Sequence, residues 1–472
     1  MNTQITFQKP IILDLTHDED AALGKMLVQL SRVYAKNLLL STYNDGHRVL
    51  QSFGISIPPR MKNIKAALGW PSMAVTSLVR KHQFEGFVMD GETDPFEING
   101  LLKRNEFDLE LTMGIRSAYT HACSFLTTTP GDTGAGEPEV LIQARDAIET
   151  TALWDKRRRE LSAFLAIIET DDYGAITEFL LLLSGKVVTC KRSPGGKWTV
   201  ERRTMKPLRI QAEMLPYDPQ IKRPFGRSRI TREVRYLTDA AIRTLVRTET
   251  TAEFFAAPQR WAMNVDPDAF NLDRWNALIG RFMAIEADED GNSPTVGQFP
   301  QMVMDPHISM YRQLAMNFCS ATSIPQANVG VFADNPASAQ AMESAHANLA
   351  EEGEHQWRVF DPRLVRTAQN VIMQRDGLAE PTDEMWKIDA KHKPCRYVSP
   401  QAAADFTVKA VSAIPAIGET TEALRGLGYG QTEIASMEAQ WRRQSAPGVL
   451  QTIAALRDAE RAPGDVQVVE AG

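Results

Sequence analysis

The sequence is poor in cysteine, in long apolar runs and in excess positive charge. Its 472 residues include only four cysteines, which are scattered along the chain at Cys123, Cys190, Cys319 and Cys395. This spacing favours free buried thiols over disulfides or structural zinc. The net charge of −7 argues against sequence-independent wrapping of nucleic acid, which needs a basic surface. The longest apolar run, Ala163 to Ile168, is too short to span a bilayer, and we expect no signal peptide at the N-terminus.

Catalytic and cofactor motifs are also missing from the sequence. It has no GxSxG and no Walker motif, and the glycines from Gly426 to Gly430 lack GxGxxG spacing, which favours a helix–helix connection. Two groups of residues remain as metal candidates. Asp288 to Asn292 resembles a calcium loop without its later glutamate, and His346, Glu351 and His355 share part of a helix surface. A solvated surface is the simpler interpretation of both, so we expect no metal and no cofactor.

The length of the chain predicts two or more domains, and its local patterns predict an α+β fold. Apolar residues at helical spacing from Leu23 to Leu38 follow an acidic first turn at Asp18 to Asp20. Thr177 to Lys191 and Lys197 to Met205 are each interpreted as a strand, and Thr127 to Pro138 as an exposed loop. Helices and strands alternate irregularly, which favours α+β over a doubly wound sheet.

Long helices are predicted in the second half of the chain. Residues 229–256 carry a narrow apolar stripe at 3–4 spacing and would extend for roughly 40 Å. Residues 306–322 are also predicted to be helical. A third helical segment, 337–377, follows a favourable N-cap and first turn. We expect it to be broken near Gly353 and Pro362, because glycine and proline disfavour helix interiors.

Arginines recur on another face of the 229–256 helix, at Arg232, Arg235, Arg243 and Arg247. In a single chain such a row is a solvated face or a set of ion-pair partners. In a ring of identical chains each arginine is repeated by the symmetry, and the row becomes a charged band.

Several blocks, taken in order, resemble the portal proteins of tailed bacteriophages that infect actinobacteria, of the siphophage type. The blocks are Tyr43 through Phe87, Arg223–Ile230, Glu253–Trp261, Ser323–Pro325 and Asn335–Met342. The resemblance spans about residues 20–450 and departs from the expected pattern at Gln340, where an acidic residue is usual. It implies a predominantly helical α+β portal fold that assembles into a ring, usually of twelve chains.

The resemblance also implies an order of parts along the chain. They are a wing (1–228), a first stem helix (229–256), a clip (257–303), a second stem helix (304–323), a tunnel loop (324–336), a long tunnel helix with a return to the wing (337–398), a crown (399–460) and a disordered tail (461–472).

Functional residues are implied for three of these parts. The channel would be lined by the tunnel-loop residues Val329, Gly330, Val331, Phe332, Asp334 and Asn335. The four arginines above would form the basic stem face. The clip would dock the packaging motor through Trp261, Trp275, Asp288 and Asp290.

The implied function is a non-enzymatic ring at a capsid vertex, through which double-stranded DNA is packaged and ejected without sequence specificity. The implied partners are further copies of the chain, terminase, the major capsid protein and head-completion proteins, with no membrane. The protein would be assembled in the host cytoplasm and reside in the virion. Two alternatives remain open: an oligomeric adaptor or scaffold that does not contact DNA, and a hydrolase with an unusual site.

Overall fold

The computed structural model describes residues 4–47, 66–90, 94–256, 260–263, 295–298, 303–330, 339–396 and 400–443, the last range without 431, 432, 435 and 442. Two compact units divide the chain, Met1–Arg396 and Tyr397–Gly472. Helices and antiparallel sheets are mixed along the first unit, which confirms the α+β expectation at this level.

Seven helices of the first unit position the features discussed below. They are α1 (His17–Asn44), α2 (Trp70–Val79), α3 (Asn99–Arg104), α4 (Phe107–His121), α5 (Arg232–Ala256), α6 (Asp305–Thr322) and α7 (Ala339–Asp376). The second unit contains α8 (Pro400–Ala413) and α9 (Thr421–Gly426). Among the described helices, none is long and apolar enough to cross a membrane.

A capping box starts α1. The Thr16 hydroxyl accepts a hydrogen bond from the backbone N–H of Glu19, and the Glu19 carboxylate accepts one from the N–H of Thr16. Asp18 and Asp20 complete an acidic first turn, where the helix dipole favours negative charge. The helix predicted from the Leu23–Leu38 spacing is therefore confirmed.

Two antiparallel sheets form the middle of the first unit. The three-stranded sheet has the order β3 (Val140–Arg145), β2 (Cys123–Pro130), β9 (Ala212–Pro216). The five-stranded sheet is a meander of β4 (Thr150–Asp155), β5 (Glu160–Thr170), β6 (Ile176–Leu183), β7 (Lys186–Arg192) and β8 (Trp198–Thr204). Two smaller pairs join β1 (Phe84–Val88) to β12 (Asp389–His392), and β10 (Arg260–Met263) to β11 (Thr295–Gln298).

One strand prediction and one loop prediction were wrong. The segment from Thr177 to Lys191 is two strands, β6 and β7, which reverse at Ser184 and Gly185 and pair with each other. The interpretation of Thr127 to Pro138 as an exposed loop is also wrong at its start, because β2 continues to Pro130 between β3 and β9. Composition alone does not show this long-range pairing, which buries Thr127 and Thr128.

Helices pack against both sheets through apolar contacts. One core joins α1 to the five-stranded sheet, with Leu27 and Leu30 near Leu165 and Leu181. A second core lies where the two sheets meet, and a third and larger one brings together α2, α4, α5, α6 and α7. Trp357 of α7 is among the largest fully buried side chains of this third core.

The two predicted stem helices are present with small changes in their bounds. The first begins at Arg232 rather than 229, and the second spans Asp305–Thr322. The later start of α5 has a local cause, because the Thr231 hydroxyl accepts a hydrogen bond from the N–H of Val234 at 3.2 Å. Threonine at this position is a favourable N-cap.

The predicted breaks in the third long helix are absent, since α7 runs through both Gly353 and Pro362. Gly353 is required by packing: a Cβ atom there would lie 2.8 Å from the Cys395 sulfur. Pro362 is exposed, so the helix tolerates its missing N–H on the solvent side. Tertiary contacts of α7 override the local preference of both residues.

Candidate functional site

A buried arginine joins the base of α5 to three other elements. Arg229 is 4% exposed. Its Nε donates to the carbonyl of Ala74 at 2.6 Å, and its Nη2 donates to the carbonyl of Thr322 at 2.7 Å. Its Nη1 pairs with the Glu352 carboxylate and donates to the Tyr217 hydroxyl at 3.3 Å. The Arg229 guanidinium, just before α5, therefore binds three helices: α2, the C-terminal end of α6, and α7. We call this set of five residues the Arg229 junction.

The Arg229 junction satisfies its charges internally. The Tyr217 hydroxyl donates to Glu352 Oε1 at 2.6 Å, so this carboxylate receives both the arginine and the tyrosine. Burial lowers the pKa of Arg229, since it disfavours the charged form. The guanidinium of arginine is planar and carries five donors in fixed directions, so it can bind several fixed acceptors at once. A lysine ammonium group lacks this geometry.

The residues just before Arg229 shape the loop that delivers it. Gly226 has φ +75°, and a Cβ atom there would lie 2.1 Å from the carbonyl oxygen of Tyr217. Ser228 donates to the carbonyl of Thr120 at 2.6 Å, and the backbone N–H of Arg229 donates to the carbonyl of Tyr119 at 2.8 Å. The Arg223–Ile230 block that carries the sequence resemblance thus has a direct structural role.

A polar cavity of about 310 Å³ lies beside the Arg229 junction. Its walls include Asp218, Arg227, Thr231, Ser323, Glu352 and His355. Two ion pairs account for its strongest charges, Arg227 with Asp218 at 2.5 Å and Arg229 with Glu352. The cavity therefore offers a charge-balanced surface next to the junction.

One of the two metal candidates from the sequence lies within the described residues, and it forms no ligand set there. Of the His346, Glu351 and His355 group, His346 is half-buried and the other two are exposed on α7. No cluster of three or more potential ligands among histidine, cysteine, aspartate and glutamate occurs in the described part of the chain. Asp288 to Asn292 lies outside the described residues.

The four cysteines are free and buried, as predicted. Burial raises the pKa of Cys123, Cys190 and Cys395 to about 12, and that of Cys319 to about 11. Nucleophilic thiols require the opposite shift, toward the thiolate. These thiols are therefore of the inert, packing type.

A buried histidine cluster packs behind α7. His82 lies 4.8 Å from Trp357, ring centre to ring centre, and its ring contacts the Tyr119 hydroxyl at 3.2 Å. On the other side, Trp357 stacks on His392 at 4.4 Å, and His392 approaches Asp361 at 3.5 Å. Burial lowers the pKa of His82 to about 4, so this imidazole is neutral at pH 7. The cluster fastens β1 and β12 to α7 by aromatic stacking.

The arginines of the predicted basic stem face differ in exposure. Arg232 is exposed, whereas Arg235, Arg243 and Arg247 are half-buried. Arg235 lies over the Tyr43 ring at 6.0 Å, and the Nε of Arg247 is buried without a hydrogen-bond partner in the described structure. In one chain these four side chains do not make an open charged row.

The tunnel-loop and clip residues are only partly described. Val329 ends a short 3-10 helix, Gln326–Val329, and its half-buried side chain packs against the large core. Gly330 follows with φ +79° and is exposed. The remaining predicted residues, Val331, Phe332, Asp334, Asn335, Trp275, Asp288 and Asp290, lie outside the described residues. The backbone of Trp261 lies in β10.

Sequence reasoning missed the Arg229 junction as a site. Arg229 was noticed only inside the block of resemblance, and its acceptors come from positions 74, 217, 322 and 352. The sequence carried no signal for it, because arginine is almost never fully buried unless it is paired, and the burial of Arg229 is seen only in the fold. Recognising its partners requires the tertiary fold.

The chain is similar to portal proteins of two mycobacteriophages. No family model matches the chain. The portal protein of Mycobacterium phage L5 is 25% identical over 356 residues, which cover 73% of this chain and 72% of that protein. The portal protein of Mycobacterium phage D29 is 23% identical over 433 residues, which cover 89% and 88%. These relatives confirm the resemblance to actinobacteriophage portal proteins.

Two solved structures were also matched. A chain from the neck of an empty GTA particle, computed with C6 symmetry, has a TM-score of 0.44 at 12% identity and covers 84% of this chain and 94% of that one. A chain from the neck of a native GTA particle, computed with C12 symmetry, has a TM-score of 0.40 at 14% identity, with coverage of 76% and 90%.

Proposed function

We propose that this chain is the subunit of a phage portal ring, through which double-stranded DNA passes at one vertex of the capsid. The observation that carries the proposal is the similarity to two mycobacteriophage portal proteins over 73% and 89% of the chain. The protein would reside in the virion, with terminase, the major capsid protein and head-completion proteins as its partners.

The helix arrangement supports a ring subunit. A ring of identical chains needs heterologous contacts that close on themselves, and long helices with exposed apolar positions offer such contacts. In the proposed stem, Tyr236 of α5 is 63% exposed, and Ile308 and Met310 of α6 are 45% and 46% exposed. The Arg229 junction holds these helices to the wing, so that a contact made by the stem is fixed relative to the rest of the subunit.

We assign the parts in the order that the resemblance implies. The wing precedes α5, the stem is α5 and α6, the clip lies between them, and the tunnel loop leads into α7. The crown, 399–460, falls within the second unit. The clip residues Trp261, Trp275, Asp288 and Asp290 would face the motor. The channel would be lined by Val329, Gly330, Val331, Phe332, Asp334 and Asn335.

The charge distribution fits passage of DNA without tight binding. Affinity for duplex DNA comes mainly from cations that release counterions, and the chain has a net charge of −7. Of the four arginines of the predicted basic stem face on α5, Arg232 alone is exposed in a single chain. The proposed stem would therefore give a weak positive band, which guides the duplex without holding it.

The oligomeric state tests the proposal. We expect purified protein at micromolar concentration to form closed rings, of about twelve chains, visible in electron-microscopy top views and in mass measurements. A stable monomer at every concentration would contradict the proposal. Rings with a lumen too narrow for duplex DNA would instead favour the adaptor that does not contact DNA.

A further inference from the structure

An exposed turn of the wing has the form of a docking knob. Gln220 and Arg223 exchange two backbone hydrogen bonds, of 3.0 and 2.8 Å, which close a tight turn with Ile221 and Lys222 at its tip. Ile221 is 88% exposed, and both neighbouring cations are exposed as well. A rigid turn that presents an isoleucine to solvent loses little entropy when it is buried by a partner. We call Gln220–Arg223 the knob.

A pocket elsewhere on the wing has complementary chemistry. It lies between the end of α1, α4 and the turn before β4, and its volume is about 510 Å³. Leu109 and Met113 at its rim are 52% and 45% exposed. Asp45 and Asp146 supply two carboxylates to its wall. We call this cavity the α1–α4 pocket.

The floor of the α1–α4 pocket is polar and contains a buried acceptor without a hydrogen-bond partner in the described structure. The two ring nitrogens of His121 lie 2.8 Å from the Ser41 hydroxyl and 3.2 Å from the Ser117 hydroxyl. Burial lowers the pKa of His121, so the imidazole does not bring a positive charge. The Oδ1 atom of Asn44 is buried and accepts no hydrogen bond in the described structure. The pocket wall therefore holds two carboxylates and an unpaired acceptor but one cation, Arg116. This balance favours a ligand with a positively charged donor.

Among the described apolar side chains of the first unit that are at least 87% exposed, Ile221 is the one with neighbouring cations. Leu13, Ile11 and Tyr173 are as exposed as Ile221. However, Leu13 adjoins Asp14 and Tyr173 follows Asp172, whereas Ile11 lies between a proline and an isoleucine. Ile221 alone is followed by a lysine and an arginine, which match the carboxylates of the pocket.

We infer that the knob of one subunit inserts into the α1–α4 pocket of a second copy of the chain. Ile221 would cover Leu109 and Met113, and Lys222 would pair with Asp45 and Asp146. A knob and a pocket at different places on one surface make a heterologous contact, which is the type that closes rings. The inference rests on the proposed function, because it specifies one contact of the proposed ring.

Cysteine trapping tests the contact directly. In the double variant Ile221→Cys, Met113→Cys, the new thiols of adjacent subunits would lie within disulfide range, while all four native thiols are buried. After oxidation we expect a ladder of covalent multimers on a non-reducing denaturing gel, which collapses to monomer on reduction. Each single variant is the control and should give no ladder.

A charge exchange provides an independent test. Lys222→Glu should raise the concentration needed for half-maximal ring formation about tenfold, and adding Asp45→Lys should restore much of the loss. Lys197→Glu, which reverses another exposed lysine in a hairpin turn, should have no such effect.

The outcomes separate the two proposals. Wild-type rings without a ladder in the double-cysteine variant, or with no response to Lys222→Glu, would overturn the knob contact and leave the portal assignment intact. Wild-type protein that forms no rings would overturn both.

Discussion

The Arg229 junction allows a stability prediction that can be worked out from its contacts. Replacing Arg229 with methionine keeps much of the side-chain volume and removes the guanidinium. Glu352 then loses its cation, and the carbonyls of Ala74 and Thr322 lose their donors. Removing one partner of a buried ion pair typically costs about 3–5 kcal/mol. The Glu352 side chain is 26% exposed and keeps the Tyr217 hydroxyl as a donor, so the lower end of this range applies. We therefore expect Arg229→Met to lower the free energy of unfolding by about 3 kcal/mol.

The matched control is Arg227→Met, two residues earlier. Arg227 also pairs with a carboxylate, Asp218 at 2.5 Å, but its side chain is 51% exposed. Pairs of this exposed type contribute about 0–1 kcal/mol, so the control should unfold almost like the wild type. The double variant Arg229→Met, Glu352→Gln should lose less than the sum of its two single changes, because the uncompensated carboxylate is gone.

Thermal and urea unfolding, followed by circular dichroism, give the measurement. We expect a clear loss of stability for Arg229→Met, and for the double variant a loss smaller than the sum of the two single changes. If Arg229→Met stays within about 1 kcal/mol of the control, then the Arg229 junction does not hold the helices together in the way described, since a buried partner left uncompensated must cost more than an exposed one.

Three further predictions concern other parts of the chain. Hydrogen bonds from Arg202 and Lys186 hold the pKa of the buried Glu19 at about 2, so Glu19 stabilises the fold above its ordinary pKa of about 4.5, by roughly 3 kcal/mol. This contribution should disappear between pH 4.5 and 2, and a Glu19→Gln variant should show a flatter acid-unfolding profile. Gly226→Ala should destabilise the fold far more than Gly196→Ala in thermal unfolding, because both have positive φ but only at Gly226 does a carbonyl lie 2.1 Å from the added carbon. Val331→Arg in the proposed tunnel loop should leave rings intact and slow DNA packaging in an in vitro assay, because each subunit adds a phosphate-binding cation; a normal packaging rate would exclude the loop from the constriction.

Local signals predicted the helices α5 and α6 well. The bounds of α5 and α6 follow from apolar spacing and from caps, which depend on residues only a few positions apart. The start of α5 moved by three residues because Thr231, inside the predicted helix, acts as its N-cap. A shift of this size is expected when a residue inside the predicted helix is itself a good N-cap.

Features that depend on distant residues were not predictable from the sequence. Gly353 was interpreted as a helix breaker, yet it is the residue that lets Cys395 approach α7. Thr127 and Thr128 were assigned to a loop because of a Thr-rich composition, and pairing with β3 and β9 makes them strand. In each case a contact more than ten residues away decides between two conformations that the local sequence allows.

The position of the Arg229 junction shows how α7 is held against α5. Glu352 ties α7 to the start of α5, and α7 begins at Ala339, so about 20 Å of helix precedes the tie at 1.5 Å per residue. Residues 344, 345, 347 and 348 are exposed, whereas Leu349 and Ala350, just before the tie, are buried in the large core. The Arg229 junction and the large core therefore fix the same turn of α7.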